Sequence, residues 1–353
     1  MTTLRARTEA ATFRALLGLP PALVRRLAGP PVIHDGQVLD PETQWMLRIE
    51  RITREPAVAS LPIPDGRRAI VRQSRIVGGR QPIGETVDVD VPTPTGTMPA
   101  RLYTPRSRVA TTHEASPLLV FIHGGGMIYG DLDSHDAVCR LLAERADVRV
   151  LALDYRLAPE HRYPAACDDC WAGYQWAVEH AEELGADPDR IAVGGDSAGG
   201  MLSAITAIKA AQSGVPCAFQ LLVYPATDFH EKSESRRSFG EGYYLTAEFM
   251  DLAEASYLLP TDDRRDPSVS VLYTEKIPDE LAPALVVTAG FDPLRDEGES
   301  YARMLADAGI AVEMKRYPGF IHGFFNLVGV GRSNRAAVAE IAAKLKAALH
   351  PHG

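Results

Sequence analysis

The chain has 353 residues, of which 46% are hydrophobic and 24% are charged. These proportions are ordinary for a globular protein and exclude a disordered chain of low hydrophobicity and high charge. The net charge of −9 comes from 46 acidic and 37 basic residues without a sustained run of Lys and Arg, so nucleic acid is not expected as a partner.

Residues 1–60 contain two or three short helical patterns and several prolines, but no strand pattern. We expect them to form an appended helical segment ahead of a larger domain of residues 61–353. Arg14 and the Pro20-Pro21 pair interrupt what would have to be the apolar core of a signal peptide. No run elsewhere reaches the roughly 18 to 20 apolar residues needed to cross a bilayer. A cytoplasmic location without stable membrane insertion is therefore expected.

From about residue 80 onward, short β-branched runs alternate with longer helical patterns, as in a mostly parallel sheet covered by helices on both faces. The predicted strands comprise an antiparallel opening pair and six buried strands, at 85–91, 100–103, 118–122, 148–153, 191–193, 219–224, 285–289 and 312–317. The predicted crossover helices lie at 134–145, 168–183, 197–212, 297–308 and 334–349. The predicted fold class is therefore α/β, with eight strands.

A charged and aromatic stretch at about 228–276 separates two of these strands. We predict that it is an insertion within the larger domain and forms part of a cap. Its aromatic residues are Phe239, Tyr243, Tyr244, Phe249 and Tyr257. Aromatic residues at helical spacing more often pack than bind ligands, so a contribution to a ligand pocket is left open.

The four cysteines are too few for a disulfide framework in a chain that can form its own core. Cys167 and Cys170 have the C-x-x-C spacing of a redox or zinc site, but no second pair accompanies them. The stretch between them is typical of one turn of an acidic helix. We therefore expect reduced, packed thiols, including Cys139 and Cys217, and no metal site.

The pentapeptide Gly195-Asp196-Ser197-Ala198-Gly199 follows one predicted strand and begins the next predicted helix. This is the context of a nucleophile elbow, in which a strained turn exposes only the serine hydroxyl. The helix N-terminus behind the serine supplies N–H groups to the negative charge that develops in acyl transfer. Ser197 is therefore the candidate nucleophile, although the pentapeptide alone could also be a glycine-rich loop with an incidental serine.

A second glycine-rich element, His123-Gly124-Gly125-Gly126, comes directly after the predicted strand 118–122. Consecutive glycines allow the backbone to turn N–H groups toward a ligand oxygen without obstruction by Cβ. A phosphate-binding loop is the alternative, but no G-K-[ST] follows and the dinucleotide fingerprint is absent. We predict an oxyanion hole formed by the N–H groups of Gly125, Gly126 and Ala198, with His123 in a structural role.

The remaining triad members follow in the order Ser, Asp, His that this fold uses. Asp292 lies just after the predicted strand 285–289, and His322 lies just after the last strand between glycines. Asp296, in the same loop as Asp292, is the alternative acid. Asp292 is preferred because it is nearer to the strand end. The predicted triad is Ser197, Asp292 and His322.

With these motifs assembled, the chain resembles the bacterial branch of the hormone-sensitive-lipase family of esterases and lipases. The resemblance rests on HGGG at 123–126, DYRLAPEHRYPAA at 154–166, GDSAGG at 195–200, DPLRDEG at 292–298 and HGF at 322–324. It spans residues 84–330, about two thirds of the chain. It implies an α/β-hydrolase fold in which residues 1–60 are an N-terminal helical cap segment and residues 61–353 are the catalytic domain, with a cap insertion at about 228–276. The same triad and oxyanion donors, and no cofactor, are implied as well. It also implies a structural, buried network around Tyr155, Arg156 and Glu160.

These observations predict a carboxylester hydrolase that forms an acyl-enzyme, with short- to medium-chain acyl esters as the substrates that the resemblance favours. An amidase or peptidase with the same triad is the nearest alternative, because both reactions share nucleophile and oxyanion hole. A non-catalytic ligand-binding protein on the same fold is the other alternative. The expected partner is a small-molecule ester, and a homodimer is left open.

Overall fold

The structure is a computed structural model that describes residues 4–53, 57–109 and 114–350, with side chains described from residue 11 onward. Its strands, in chain order, are β1 (Ile33–His34), β2 (Gln37–Val38), β3 (Glu85–Thr93), β4 (Gly96–Thr104), β5 (Ser116–Ile122), β6 (Arg149–Leu153), β7 (Ala186–Asp196), β8 (Phe219–Val223), β9 (Ala284–Phe291) and β10 (Val312–Ile321). Its helices are α1 (Leu4–Leu17), α2 (Pro21–Ala28), α3 (Pro41–Thr53), α4 (Ile63–Gly78), α5 (Arg106–Val109), α6 (Asp136–Ala146), α7 (Ala165–Glu179), α8 (Ala198–Ser213), α9 (Glu234–Phe239), α10 (Ala247–Tyr257), α11 (Arg295–Asp307) and α12 (Ser333–Leu349). Short 3₁₀ turns lie at Val58–Ser60, Val271–Tyr273 and Phe324–Asn326.

Eight of the described strands form one sheet in the order β10-β9-β8-β7-β5-β6-β4-β3. Strands β5 to β10 are parallel to one another, and β4 runs antiparallel to both β3 and β6. The predicted eight-stranded, mostly parallel sheet is therefore confirmed. Because the six parallel strands point the same way, the loops that follow β5, β7, β9 and β10 meet at one edge of the sheet.

The sheet is covered on both faces, which explains why its central strands are continuous apolar runs. All residues of β5 and β9 are buried. On one face the strands pack against α7, α8 and α11, and on the other against α6 and α12. All five helices predicted from apolar spacing are present, with ends that differ by up to four residues.

The N-terminal segment and the helix that follows it both differ from the prediction. The segment contains helices α1 to α3, but also a two-residue antiparallel pairing of β1 with β2 around the positive-φ residues Asp35 and Gly36. This short ladder had no alternating pattern to reveal it. Helix α4, between this segment and β3, was not predicted. The division at residue 60 and the interpretation of this segment as a cap stay predictions.

Two small apolar clusters attach the N-terminal segment to the loops beyond the sheet. In one, Trp45 and Val24 pack with Leu327 and Val330, which follow β10. The other contains Leu39 and Leu47 from the segment, Phe239 from α9, and the last residues of two strands, Phe291 and Ile321. The N-terminal segment and the insertion after β8 therefore both pack against the ends of β9 and β10.

Candidate active site

Ser197 occupies the turn between β7 and α8 in a strained backbone conformation, with φ of 57° and ψ of −120°. A positive φ is rare outside glycine and is retained where the surrounding structure enforces it. Here the Ser197 N–H donates to the Val223 carbonyl at 2.8 Å, and the Ser197 carbonyl accepts from Met201 and Ala226. The turn is thus held from both sides, with the hydroxyl of Ser197 directed to the sheet edge.

The glycines on either side of the serine are required by close packing against the end of β5. A Cβ on Gly195 would lie 2.1 Å from the Ile122 carbonyl oxygen, and one on Gly199 would lie 2.0 Å from the same atom. Any side chain at these positions would force the strand and helix apart. The small residues of the pentapeptide therefore bring the turn at residues 195–199 against the loop that begins at His123.

Three side chains from three different loops form a continuous hydrogen-bonded chain. His322, directly after β10, places Nε2 2.9 Å from Oγ of Ser197 and Nδ1 2.8 Å from Oδ2 of Asp292. Asp292 directly follows β9, is fully buried, and accepts the Leu294 N–H at Oδ1 at 2.8 Å. Both oxygens of this carboxylate are therefore engaged, and the imidazole orientation is fixed between acid and hydroxyl.

The alternative acid, Asp296, faces away from this chain. Its carboxylate accepts the backbone N–H of Ser235 and the guanidinium of Arg295, each at 2.8 Å. Burial raises the pKa of Asp296, but these donors lower it by more, so the net pKa lies below the usual value. Of the two acids in the loop, Asp292 is thus the one in contact with His322.

The three glycines after His123 form a loop at the same sheet edge. Gly125 and Gly126 have positive φ values of 120° and 64°. A Cβ on Gly125 would lie 2.2 Å from the Tyr129 carbonyl oxygen, while the face of Gly126 is covered by Phe249 and Ala253 of α10. Ala198 begins α8, where backbone N–H groups have no partner within the helix. The predicted oxyanion donors therefore come from two segments in mutual contact.

His123 lies behind this loop. Its ring is buried, stacks on Tyr155 at 4.3 Å between centroids, and places Nδ1 2.9 Å from the Gly124 carbonyl. Burial lowers the pKa of His123 to about 3, so the ring is neutral. The Tyr155 hydroxyl donates to the His123 carbonyl at 2.9 Å. This geometry fits a structural part for His123 in shaping the glycine loop.

The network expected around Tyr155, Arg156 and Glu160 is only partly buried. Tyr155 is buried, and Arg156 makes a paired contact with the buried Asp169 at 2.8 Å. Glu160, in contrast, is exposed and pairs with Arg67 of α4. The expectation of one buried network was therefore wrong for Glu160, because its partner comes from a helix that the sequence patterns did not reveal.

A second buried carboxylate, Asp196, was missed from the sequence and directly precedes Ser197. Oδ2 of Asp196 accepts the Asn326 side-chain N–H at 3.1 Å and the Tyr224 hydroxyl at 3.4 Å. Oδ1 accepts the Gly124 N–H at 3.0 Å and lies 3.2 Å from Nε2 of His135. Burial raises the pKa of Asp196, but His135 and the Gly124 N–H lower it by more, so this residue is ionised at neutral pH.

The C-x-x-C pair lies on α7 as predicted. The sulfur of Cys167 lies 3.5 Å from both the Tyr257 hydroxyl and the Ser268 carbonyl, and Cys170 is fully buried. Burial raises the pKa of the Cys167 thiol to about 11. Within the described ranges, no cluster of three or more His, Cys, Asp and Glu has the arrangement of a metal site. The two thiols are packed side chains in this fold.

In the part of the chain that the structure describes, no helix has the length and apolar character needed to span a membrane.

Comparisons with known proteins agree with this architecture. A family model described as alpha/beta hydrolase fold matches residues 119–326. The chain is 46% identical to a carboxylic ester hydrolase, LipN, of Mycobacterium tuberculosis over 91% of this chain and 86% of that protein. It is 38% identical to an ethyl acetate hydrolase of Pseudomonas putida, over 76% of this chain and 85% of that one.

Among solved structures, an ester hydrolase from the metagenome of Lake Arreo, complexed with a bipyridine phosphonate derivative, superimposes with a TM-score of 0.84. The two chains are 38% identical, and the match covers 88% of this chain and 98% of that one. Likeness at this level extends well beyond the fold. The chain therefore belongs to the hormone-sensitive-lipase family of α/β-hydrolase esterases and is a carboxylic ester hydrolase.

Proposed function

We propose that this enzyme hydrolyses short- to medium-chain acyl esters through an acyl-enzyme on Ser197, with His322 as general base and Asp292 as its orienting acid. The observation that carries this proposal is the chain of contacts at 2.8 and 2.9 Å from Asp292 through His322 to the strained Ser197. A base within hydrogen-bond reach of a nucleophile, itself oriented by a carboxylate, is the arrangement that serine acyl transfer requires.

In the first step, Nε2 of His322 takes the hydroxyl proton while Oγ of Ser197 attacks the ester carbonyl carbon. Asp292 stays ionised and stabilises the imidazolium through its contact with Nδ1. The imidazolium then gives its proton to the departing alkoxide, which leaves as alcohol. Water, deprotonated by His322, attacks the resulting ester of Ser197 and releases the carboxylic acid and the free hydroxyl.

The negative charge on the tetrahedral oxygen is assigned to the backbone N–H groups of Gly125, Gly126 and Ala198. Support comes from the positive φ values of both glycines and from the position of Ala198 at the first turn of α8. Donors of this kind stabilise a transition-state oxyanion because they are oriented before the charge develops.

The limit to short and medium acyl chains is supported by the cap insertion. Helix α10 stands directly over Gly126, where a Cβ would lie 2.8 Å from Ala253 and 3.2 Å from the ring of Phe249. Side chains this close to an oxyanion donor leave little depth for a long acyl chain on that side. The name of the Pseudomonas relative, an ethyl acetate hydrolase, is in keeping with small substrates.

The test is hydrolysis of p-nitrophenyl esters of increasing acyl length, with the matching p-nitroanilides assayed in parallel. A phosphonate ester inhibitor, followed by mass spectrometry of the labelled peptide, identifies the nucleophile. We expect fast turnover of short esters that declines with chain length, a label on Ser197, and loss of turnover in folded Ser197→Ala. Ester turnover in Ser197→Ala at the wild-type rate would refute the mechanism, and anilide turnover matching that of the esters would favour the amidase.

A further inference from the structure

Asp196 connects three of the segments that carry the proposed active site. It precedes Ser197 in the nucleophile turn, accepts the N–H of Gly124 in the glycine loop, and accepts the amide of Asn326, which follows His322 by four residues. Asp196 is 3% exposed, so water screens its charge only weakly. A buried carboxylate persists only with strong partners.

The hydrogen-bond pattern around His135 indicates how this charge is balanced. The Ser134 hydroxyl lies 2.8 Å from the Asp131 carbonyl, which can only accept, so the single hydroxyl proton is donated there. The Ser134 oxygen must then accept from Nδ1 of His135, 2.9 Å away. The other ring nitrogen, Nε2, lies 3.2 Å from Oδ1 of Asp196, within ion-pair distance. Each ring nitrogen of His135 thus lies beside an oxygen acceptor, which is the environment that suits an imidazolium.

We propose that His135 and Asp196 form a buried ion pair that positions the nucleophile turn, the glycine loop and the histidine loop, and whose two charges act on His322 in opposite directions. The inference rests on the proposed roles of Ser197 and His322. The negative charge of Asp196 favours the imidazolium form of His322, and the positive charge of His135 offsets that effect. The pair therefore leaves little net charge behind the turn at Ser197, and removing either member exposes His322 to the charge of the other.

Two further observations link the pair to His322. The ring of Tyr224 lies 4.4 Å from the His322 ring, and its hydroxyl donates to Oδ2 of Asp196 at 3.4 Å. The charge of His322 is also one of the groups that lower the pKa of Asp196. The titratable groups that face Asp196 from the surrounding elements are His123, His135, Cys139, Tyr155, Tyr224, Tyr244 and His322.

The test compares Asp196→Asn and His135→Gln by the pH dependence of kcat/KM for a short p-nitrophenyl ester. The acidic limb of this profile reports the pKa of the general base in the free enzyme. Removing the Asp196 charge leaves His135 uncompensated and disfavours the His322 imidazolium, so the limb moves to lower pH. Removing the His135 charge leaves Asp196 uncompensated, so the limb moves to higher pH. We expect shifts of about one pH unit in these opposite directions, as for a nearby buried charge.

Both variants retain hydrogen-bonding groups and are expected to fold. The Asn326 side-chain oxygen has no partner among the described residues, so its amide can rotate to accept from the new side-chain NH₂ group in Asp196→Asn. The glutamine side chain of His135→Gln still offers an N–H toward Asp196. We also expect kcat of Asp196→Asn to fall about tenfold to a hundredfold, the size of one lost charged hydrogen bond, with KM little changed.

The matched controls are Asp169→Asn, a buried aspartate that binds Arg156, and His180→Gln, whose ring stacks on Trp176. Both are expected to leave the acidic limb in place even where stability falls. ¹⁵N NMR of histidine-labelled enzyme gives a readout independent of turnover, with both ring nitrogens of His135 expected to be protonated.

The inference is overturned if the two limbs move the same way or stay in place, or if the His135 ring carries one proton. Phosphonate labelling separates this outcome from a failure of the proposed function. A label on Ser197 of the wild type with unshifted limbs rejects only the ion-pair role. Absence of that label rejects the mechanism and this inference together.

Discussion

Replacing Asp292 by asparagine tests the proposed mechanism at its most buried member. The wild-type carboxylate accepts Nδ1 of His322 on one oxygen and the Leu294 N–H on the other, each at 2.8 Å. Asparagine has one oxygen and one NH₂ group. Because the Leu294 N–H requires the oxygen, the NH₂ group must face the imidazole. The ring then keeps its proton on Nε2, directed at Ser197, and cannot act as base.

In other Ser-His-Asp enzymes the loss of this acid lowers kcat by about 10⁴-fold. That ratio corresponds to about 5.5 kcal/mol of transition-state stabilisation. We expect a loss of this order here, since Asp292 is fully buried and no water can replace its contact with the ring. The measurement is kcat and KM for a short p-nitrophenyl ester, alongside thermal unfolding to establish that the variant is folded.

Asp296→Asn is the matched control, four residues away in the same loop. Its carboxylate binds Ser235 and Arg295 but not the imidazole, so we expect kcat/KM within about threefold of wild type and a loss of about 1 kcal/mol in unfolding free energy. A folded Asp292→Asn enzyme with near wild-type activity, paired with an inactive Asp296→Asn, would refute the assignment of the orienting acid.

Three further predictions concern the glycine loop, the buried carboxyl group of Glu297 and the ion pair between Glu160 and Arg67 of α4. Gly126→Ala should lower kcat by about 10²-fold, the size of one oxyanion donor, because the added Cβ lies 2.8 Å from that of Ala253; adding Ala253→Gly should recover part of the rate. Burial raises the pKa of Glu297 to about 7, so the folded state favours the protonated form of this side chain. The stability that this form contributes is fully present below about pH 4.5 and is lost as pH rises through about 7. Glu297→Gln should therefore flatten the dependence of Tm on pH in that window. Arg67→Ala should cost about 2 kcal/mol in urea unfolding, since the guanidinium also binds two backbone carbonyls, whereas Glu160→Gln, at the exposed end, should cost under about 1 kcal/mol.

The sheet could be predicted because its central strands are buried on both faces. Strands of this kind have continuous apolar runs in the amino-acid sequence. Strand β5 is the clearest case, with every residue buried. The ends of the strands could not be predicted as well. Strand β7 begins at Ala186, five residues before its predicted start, and its first half contains the exposed residues Pro188 and Asp189. That half is a strand because Ala186 pairs with Ser116, a contact that no local pattern records.

Helix α4 shows why local propensity can also hide an element. Its sequence contains Pro64 and Gly66, which weaken a helical pattern. In the fold, Pro64 lies in the first turn, where its missing N–H is of no consequence. Gly66 is needed because a Cβ would lie 2.3 Å from the Tyr129 hydroxyl. The tertiary contact with Tyr129 thus favours the residue that locally disfavours the helix.

The difference between local sequence patterns and tertiary contacts also separates what could be predicted of the site from what could not. Ser197, Asp292 and His322 could be predicted to lie together because each follows a strand, and parallel strands bring their ends to one edge of the sheet. His135 and Asn326 follow no such rule, since they lie 61 and 130 residues from Asp196 in the chain. A signal existed nonetheless: an acidic residue directly before a serine whose neighbouring glycines are expected to pack against a strand and a helix is expected to be buried, and a buried carboxylate requires donors. Local sequence can therefore indicate that a partner exists, while only the packing of α6 and of the loop after β10 against the nucleophile turn identifies which residues supply it.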